Sequence, residues 1–592
     1  RGVTTGETVT PSPSSAVSLS TMTVKAAALT ISVSTNPPAQ TVVSGAQKFV
    51  FARYLLDSTA SGEDLKMPSI PVDYSGTTAT NLTACQLFDG ATALNSGSNI
   101  LNPSSISSTT VITFDSSGLV VTKGVVKTLE LKCNIASGAT GVYQWGYDPT
   151  ATPSITGVTS GQSVSPTEND SAGQRMTLAS SGSFTVALDS SSPAYALTSA
   201  GRTNVPVSVF RITATNEAIK LTDFALILAT TTGSVAASSS PQDMTKVTFW
   251  DGISKVGETI FVGGSYTASS TLGTCSGCVD FTVPKDGTKL LTVKTDLVAQ
   301  GTSEAGTPGT LLQINWPTAP LSATIGSGQS SGQRIEVTGG STTNTAGVRV
   351  HRSYPTVELI PLTSTKFVAG RQSLFRLKIT AAPEGDVGIA KMTFRIATSS
   401  ATSRKDMVDN VNVRVFSDAF VTAATGDVGR NDGSLLQSNI DLSNADANTN
   451  LAGIGTSWVS ASTDVEVWAA DSSNASTTII IPAGGSRWFS VEGDATLPAD
   501  ASFSVSTQMQ GDAKFAANLT ATPHCGSAGC SPIATSTYMA SSTYLQDIGD
   551  DDFIWRPFST TTTQTNLAND YSTGYGVLGL PTANTNAQIL TQ

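Results

Sequence analysis

Three sets of strand-like segments recur in the same order along this 592-residue chain, and that repetition constrains the fold more than any other feature. The first set is QKFVFARYLL from Gln47, PVSVFRITAT from Pro206 and QSLFRLKITA from Gln372, with Phe51, Phe210 and Phe375 each shortly ahead of a basic residue. Acidic or polar turns follow: SGEDLKMPSIPV, TNEAIKLTDFALIL and PEGDVGIAKMTFRI. The second set is CQLFDG ending at Gly90, VTFWDG ending at Gly252 and VRVFSD ending at Asp418. The third is VVTKGVVKTLELKCNI from Val120, TVPKDGTKLLTVKTDL from Thr282 and IIPAGGSRWFSVEGDA from Ile480. The first two copies lie roughly 160 residues apart, the spacing of a whole domain. The third carries an Asn/Asp/Ser-rich insertion over residues 419–476.

Within each segment apolar and polar residues alternate, the period-2 pattern of a half-buried strand. Only 13% of residues are charged and 6% aromatic, and Ser, Thr, Ala, Gly and Val dominate, a mix that suits short strands joined by tight turns. The expectation is an all-β chain of tandem immunoglobulin-like antiparallel β-sandwiches. Residues 41–195, 196–358 and 359–523 form the three repeats, and residues 524–592 a C-terminal β module. Trp145 and Trp316 occupy matching late positions and read as packing residues. Each repeat closes on a strand and a proline connector, as in RMTLASSGSFTVALDSSSPAY from Arg175. TMTVKAAALTISVSTNPPAQ (Thr21 to Gln40) matches that feature with no domain before it. Residues 1–40 therefore read as an extension with an orphan strand, and Thr23, Val24, Leu29, Ile31 and Val33 as candidates for exchange into a neighbouring molecule.

A net charge of −11 argues against a nucleic-acid partner. The sequence has no apolar run of transmembrane length, and its opening residues lack the apolar core of a signal peptide, so an export signal would have been removed. Six cysteines fall into local pairs, Cys85 with Cys133, Cys275 with Cys278 and Cys525 with Cys530, which fits disulfides in an oxidising compartment. The TCSGC pair also has the form of a zinc half-site, but no second pair lies close by. His351 and His524 are the only histidines, and no catalytic motif surrounds either, so no catalytic residues are predicted. Calcium is the candidate cofactor, with Asp547, Asp550, Asp551 and Asp552 as ligands; solvated turns are the alternative for these residues. Glu63/Asp64 and residues 441–450 are weaker oxygen clusters. Asn81, Asn169, Asn474 and Asn518 sit in glycosylation sequons. Trp250, Trp458, Trp488 and Trp555 are candidate glycan platforms.

DDFIWRPFSTTTTQTNLANDYSTGYGVLGLP (Asp551 to Pro581) resembles the "DFIW…W/Y-x-NGY-x-V-x-x-LP" ending of secreted immunoglobulin-like repeat surface proteins of candidate-phyla (Patescibacteria/Parcubacteria-type) bacteria. FRITATNEAIKLTDFAL and the VTFWDG and VPKDGTKLLTVKTDL segments also look like their repeats. Arg556–Pro557 and Tyr571 depart from that pattern. The resemblance implies an S-layer-like or adhesive role at the bacterial cell surface and no catalytic residues. The expected function is a structural protein that self-assembles into a lattice, with its own copies and cell-envelope glycan as partners. The alternatives are a filament subunit built by strand exchange and a glycan-binding adhesin. In GDDDFIWRPFS, Phe553 and Trp555 share one strand face and Ile554 and Arg556 the other, as expected of the first strand of the terminal module.

Overall fold

A computed structural model describes residues 1–20, 24–151, 153–168, 171–229, 239–301, 303–317, 323–341, 344–399, 408–420, 435–440, 462–468, 479–497, 503–513, 552–558 and 572–592. The repeated segments become equivalent strands of three β-sandwiches. One layer of the first sandwich runs Thr30–Val33, Phe49–Asp57, Val126–Ile135, Leu82–Asp89, side by side. The second repeats this as Ser183–Leu188, Val205–Thr215, Thr288–Leu297, Met244–Asp251, and the third as Pro355–Leu359, Gly370–Ala381, Ser486–Ala495, Val408–Phe416. Every neighbouring pair in these layers is antiparallel. Each sandwich closes over its own core, around Phe51 and Trp145, around Phe210 and Trp316, and around Phe375 and Trp555. The tandem immunoglobulin-like sandwiches expected from the repeats are what the chain forms.

The conserved spelling of the repeats has local causes. In LFDG and FWDG the aspartate ends a strand and pairs with a lysine of the adjacent one, Lys127 to Asp89 at 2.6 Å and Lys289 to Asp251 in the second copy. The following glycines, Gly90 and Gly252, turn the chain at φ +62° and +58°, backbone that side chains disfavour.

The N-terminal strand is not an orphan. Thr30–Val33 pairs antiparallel with Phe49–Asp57 of its own chain, placing Ile31 opposite Leu56. Leu29 and Ile31 are buried in the first core and Val33 packs against it, whereas Val24 is exposed and Thr23 lies outside the described residues. The proline segment at Asn36–Pro37 then carries the chain across to Gln40–Val43, which runs parallel to Met176–Ala179 in the opposite layer. The second sandwich repeats the crossing: Ser183–Leu188 lies in one layer, and Ala196–Ser199 runs parallel to Val348–His351 in the other. These two proline connectors thus cross between layers within a sandwich, whereas Pro355 begins the strand that opens the third sandwich. RMTLASSGSFTVAL contains two strands, Met176–Ala179 closing one sandwich and Ser183–Leu188 opening the next. The N-terminal segment matches the opening strand, which displaces the boundaries expected near residues 40, 195 and 358. Sandwich strands instead span residues 30–179, 183–351 and 355–591.

The described residues of the C-terminal segment likewise join the third sandwich. Phe553–Arg556 pairs with Val387–Thr398, and Gln588–Thr591 with Ser504–Met509, so both complete the third sandwich.

Cys85 and Cys133 are bonded across adjacent strands in the first core, and Cys275 is bonded to Cys278; Cys525 and Cys530 lie outside the described residues. The Cys85–Cys133 bond closes a loop of sequence separation 48. In the chain-entropy account a loop of that length contributes about 4 kcal/mol. Replacing both cysteines by alanine is expected to lower the unfolding free energy of the first sandwich by about that amount. Urea denaturation followed at Trp145, which lies in the same core, measures it. A change below about 1 kcal/mol would contradict the assignment.

Candidate functional site

The densest unusual chemistry lies where the second sandwich meets the third. Val348–His351 closes one sandwich and Pro355–Leu359 opens the next, so side chains from both meet at a short connection. Arg349 is 1% exposed; its Nε donates to the Tyr195 hydroxyl at 2.9 Å and its Nη1 to the Gly309 carbonyl at 2.6 Å. The Tyr195 ring packs on Tyr575 of the third sandwich, centroids 4.6 Å apart. His351, 2% exposed, meets Trp555 edge-to-face at 5.0 Å. Beside it Ser199 donates to Glu384 Oε2 at 2.8 Å, and Arg202 lies 3.7 Å from the other oxygen. Arg352 donates to the Phe558 carbonyl at 3.1 Å.

The C-terminal motif GYGVLGLP folds over this connection. Gly576 has φ +80°, and a Cβ there would sit 2.4 Å from the Tyr195 ring. At Gly579, φ +85°, a Cβ would lie 1.7 Å from the Val357 carbonyl, so only glycine permits the approach. The Val357 N–H donates to the Leu578 carbonyl at 2.8 Å, which ties the loop to the strand that opens the third sandwich. Between the tyrosines and the loop lies a shallow groove of about 610 Å³ lined in part by Ala194, Tyr195, Tyr575, Leu578 and Pro581. Among the described residues its lining has no carboxylate, imidazole or thiol. It can hold an apolar face or a stacked ring against the two tyrosines.

Burial pushes the His351 imidazole down to about 3, and the Arg349 charge adds to the shift. Among the described residues neither ring nitrogen has a hydrogen-bond partner. At neutral pH this histidine is an uncharged group packed against Trp555.

The acidic turns of the repeats act on backbone. Glu63 Oε2 accepts from the N–H groups of Thr159 and Ser160 at 2.7 and 2.8 Å, and Asp64 accepts from Lys123 N–H at 2.9 Å. Glu217 is the second copy, 1% exposed, and accepts from the N–H groups of Gly182, Ser330 and Ser331. Burial works against its ionisation, but the N–H donors of Gly182, Ser331 and Ser330 outweigh that and hold its carboxyl below the usual range. Glu217→Ala strands these donors and is expected to cost about 3 kcal/mol, measured by chemical denaturation. Parental stability in that variant would refute the capping role. In the third copy the corresponding Glu384 turns instead to Ser199 and Arg202 of the second sandwich. The facing loops also repeat, as Ser160–Gly161–Gln162 and Ser331–Gly332–Gln333. That repeat was the available signal for the carboxylate caps.

The remaining expected sites are scattered. Asp552 is buried and its N–H donates to Asp512 at 2.7 Å; Asp547, Asp550 and Asp551 lie outside the described residues. Among the described residues no group of three or more His, Cys, Asp or Glu side chains is arranged to hold a metal. Asn81 donates its side-chain amide to the Tyr143 hydroxyl at 2.7 Å, and Asn169, Asn474 and Asn518 lie outside the described residues, as do Trp458 and His524. Trp555 is no exposed platform: it is fully buried. Trp250 and Trp488 are half-buried under Lys294 and Lys378. Arg349, Tyr195 and Tyr575 were not anticipated, because nothing in their own segments marks a contact between residues so far apart in sequence.

No protein-family model matches the sequence, and no curated protein matches it. Among solved structures it is similar to the C-terminal domain of the AgI/II polypeptide BspA of Streptococcus agalactiae, at 6% identity over 55% of this chain and 95% of that one, TM-score 0.15. It is also similar to a collagen adhesin of S. aureus, at 13% identity over 55% and 85%, TM-score 0.12. Likenesses at these scores carry no argument about function. No helix among the described residues is long and apolar enough to cross a membrane.

Proposed function

We propose that this chain is a non-enzymatic structural protein of a bacterial cell surface, secreted and assembled from its own copies into an S-layer-like lattice. The observation that supports it best is the junction of the second and third sandwiches. Arg349, His351, Tyr195, Tyr575 and Trp555 are packed together from both sides, and the C-terminal loop that carries Tyr575 is bonded to the strand that opens the third sandwich. A packed junction holds two domains in one relative orientation, which a periodic array requires of its subunit. Sparse charge and abundant Ser and Thr suit broad, wet contacts between copies.

The test is negative-stain imaging of the purified chain across a concentration series. Ordered sheets are expected; a protein that stays monomeric throughout sinks the reading. A filament built by exchange of Thr30–Val33 is less favoured, since that strand is already paired in its own chain. Adhesion is the second reading, and the tyrosine groove favours it. It requires glycan or peptide binding that Tyr575→Ala abolishes.

A further inference from the structure

The strand Ser107–Thr113, SSTTVIT, forms one edge of a layer of the first sandwich; it pairs with Ser69–Gly76 and, among the described residues, with nothing on its other side. Natural edges are usually blunted by charge, proline or a bulge. This one has none of these, and its ladder to the inner strand runs without a register shift.

Its hydrogen-bonding parity follows from two bonds. Gly76 N–H donates to the Ile106 carbonyl and Phe114 N–H to the Pro68 carbonyl, both at 2.8 Å. Even-numbered residues from 106 to 114 therefore face their own sheet, and Ser107, Thr109, Val111 and Thr113 present N–H and C=O outward. The equivalent edge of the second sandwich, Thr267–Thr271, behaves differently. By the same parity, set by Leu228 N–H on the Tyr266 carbonyl, its outward residues are Thr267, Ser269 and Thr271. All three of those carbonyls are capped, by the hydroxyls of Ser265, Thr259 and Thr274. On the first edge, among the described residues, only Ser107 is capped, by Ser105. One edge is closed by its own side chains and the other is left open at its centre.

We propose that the open edge pairs antiparallel with the same strand of a second copy, about a two-fold axis at Thr110. This rests on the reading of the chain as self-assembling and names the surface that does it. The strand is self-complementary in that register. Outward residues meet outward residues, Ser107 with Thr113 and Thr109 with Val111, which gives about eight N–H···O bonds along the seam. No charged side chain in the strand opposes its mate, and Thr109 against Val111 is a favourable β-branched cross-strand pair. Val111, 50% exposed, loses solvent contact on pairing. Asp148 touches the strand from the outer face of the sheet, where it accepts from the Thr109 hydroxyl at 2.6 Å, and does not occupy the seam. The contact is isologous and joins two five-stranded layers into one continuous sheet.

The test uses the full chain. Val111→Pro removes an outward N–H that the strand's own ladder does not use, so thermal unfolding should match the parent. Self-association by sedimentation velocity should weaken at least tenfold. Ser269→Pro, on the capped edge, should associate like the parent. Thr110→Cys places the two substituted positions about 4.5 Å apart at Cα across the axis, within disulfide range, so mild oxidation should give a dimer linked at that position by peptide mapping. The proposal is overturned if Val111→Pro associates normally, if the cross-link maps elsewhere, or if deleting residues 1–28 abolishes association, since the N-terminal arm would then be the occupant. A lattice that persists in Val111→Pro overturns this contact alone; a parent that never associates overturns the structural function as well.

Discussion

Trp555→Ala is expected to destabilise the third sandwich by about 3–5 kcal/mol, among the largest losses available to a single substitution in this chain. The indole is fully buried in that core, and its Nε1 donates to the Thr573 carbonyl at 2.8 Å. Truncation removes its apolar contact, leaves a cavity and strands the carbonyl. Because Trp555 also carries His351 of the second sandwich, the junction should loosen with it. Limited proteolysis should then cut between the second and third sandwiches faster than in the parent. The first sandwich, with its separate core, should melt unchanged, which scanning calorimetry resolves as an unshifted transition. A loss under about 1 kcal/mol would show that the strand Phe553–Arg556 is peripheral rather than central to the third sandwich.

The second large effect is acid loosening of the same junction. His351 is depressed by burial first and by Arg349 second, to about 3, from the usual 6.5. A base with a lowered folded-state value binds fewer protons folded than unfolded, so its contribution is fully present above pH 6.5. It is lost as pH falls from there toward 3. Linkage puts the loss at roughly 3 kcal/mol by pH 4. Arg349 is the charge that opposes a second positive charge on the ring. Several carboxylates, Glu217 among them, are held below their usual range and add their own acid sensitivity at lower pH. The informative quantity is therefore the difference between parent and His351→Leu. The variant should lose less stability between pH 6.5 and 4 by about that amount, measured by urea denaturation at each pH. Parallel curves for the two proteins would show that the histidine is hydrated or charged in the folded junction.

What could be read from the sequence was the strand layer. The repeated Phe-basic, DG and Lys-Gly-Val type segments map one to one onto equivalent strands, because period-2 burial and turn chemistry are local properties written in adjacent residues. The same locality misled where two strands lie end to end. RMTLASSGSFTVAL holds one strand that closes a sandwich and one that opens the next, and alternation continues through both. The match to residues 21–40 was real, but only the pairing of Thr30–Val33 with Phe49–Asp57 shows which strand it matches.

The candidate site was legible only in part. The FIW strand stood out by its composition and GYGVLGLP only as part of a family-like ending, yet their partners, Tyr195, Arg349 and His351, lie more than 200 residues away in sequence. The sequence by itself determined that the chain is all-β, threefold repeated and provided with carboxylate turns. The tertiary structure alone decided that the N-terminal strand is paired at home, that the last segment completes the third core, and which edge is left open. Strand formation depends on neighbours along the chain, whereas pairing and burial depend on residues brought together across it.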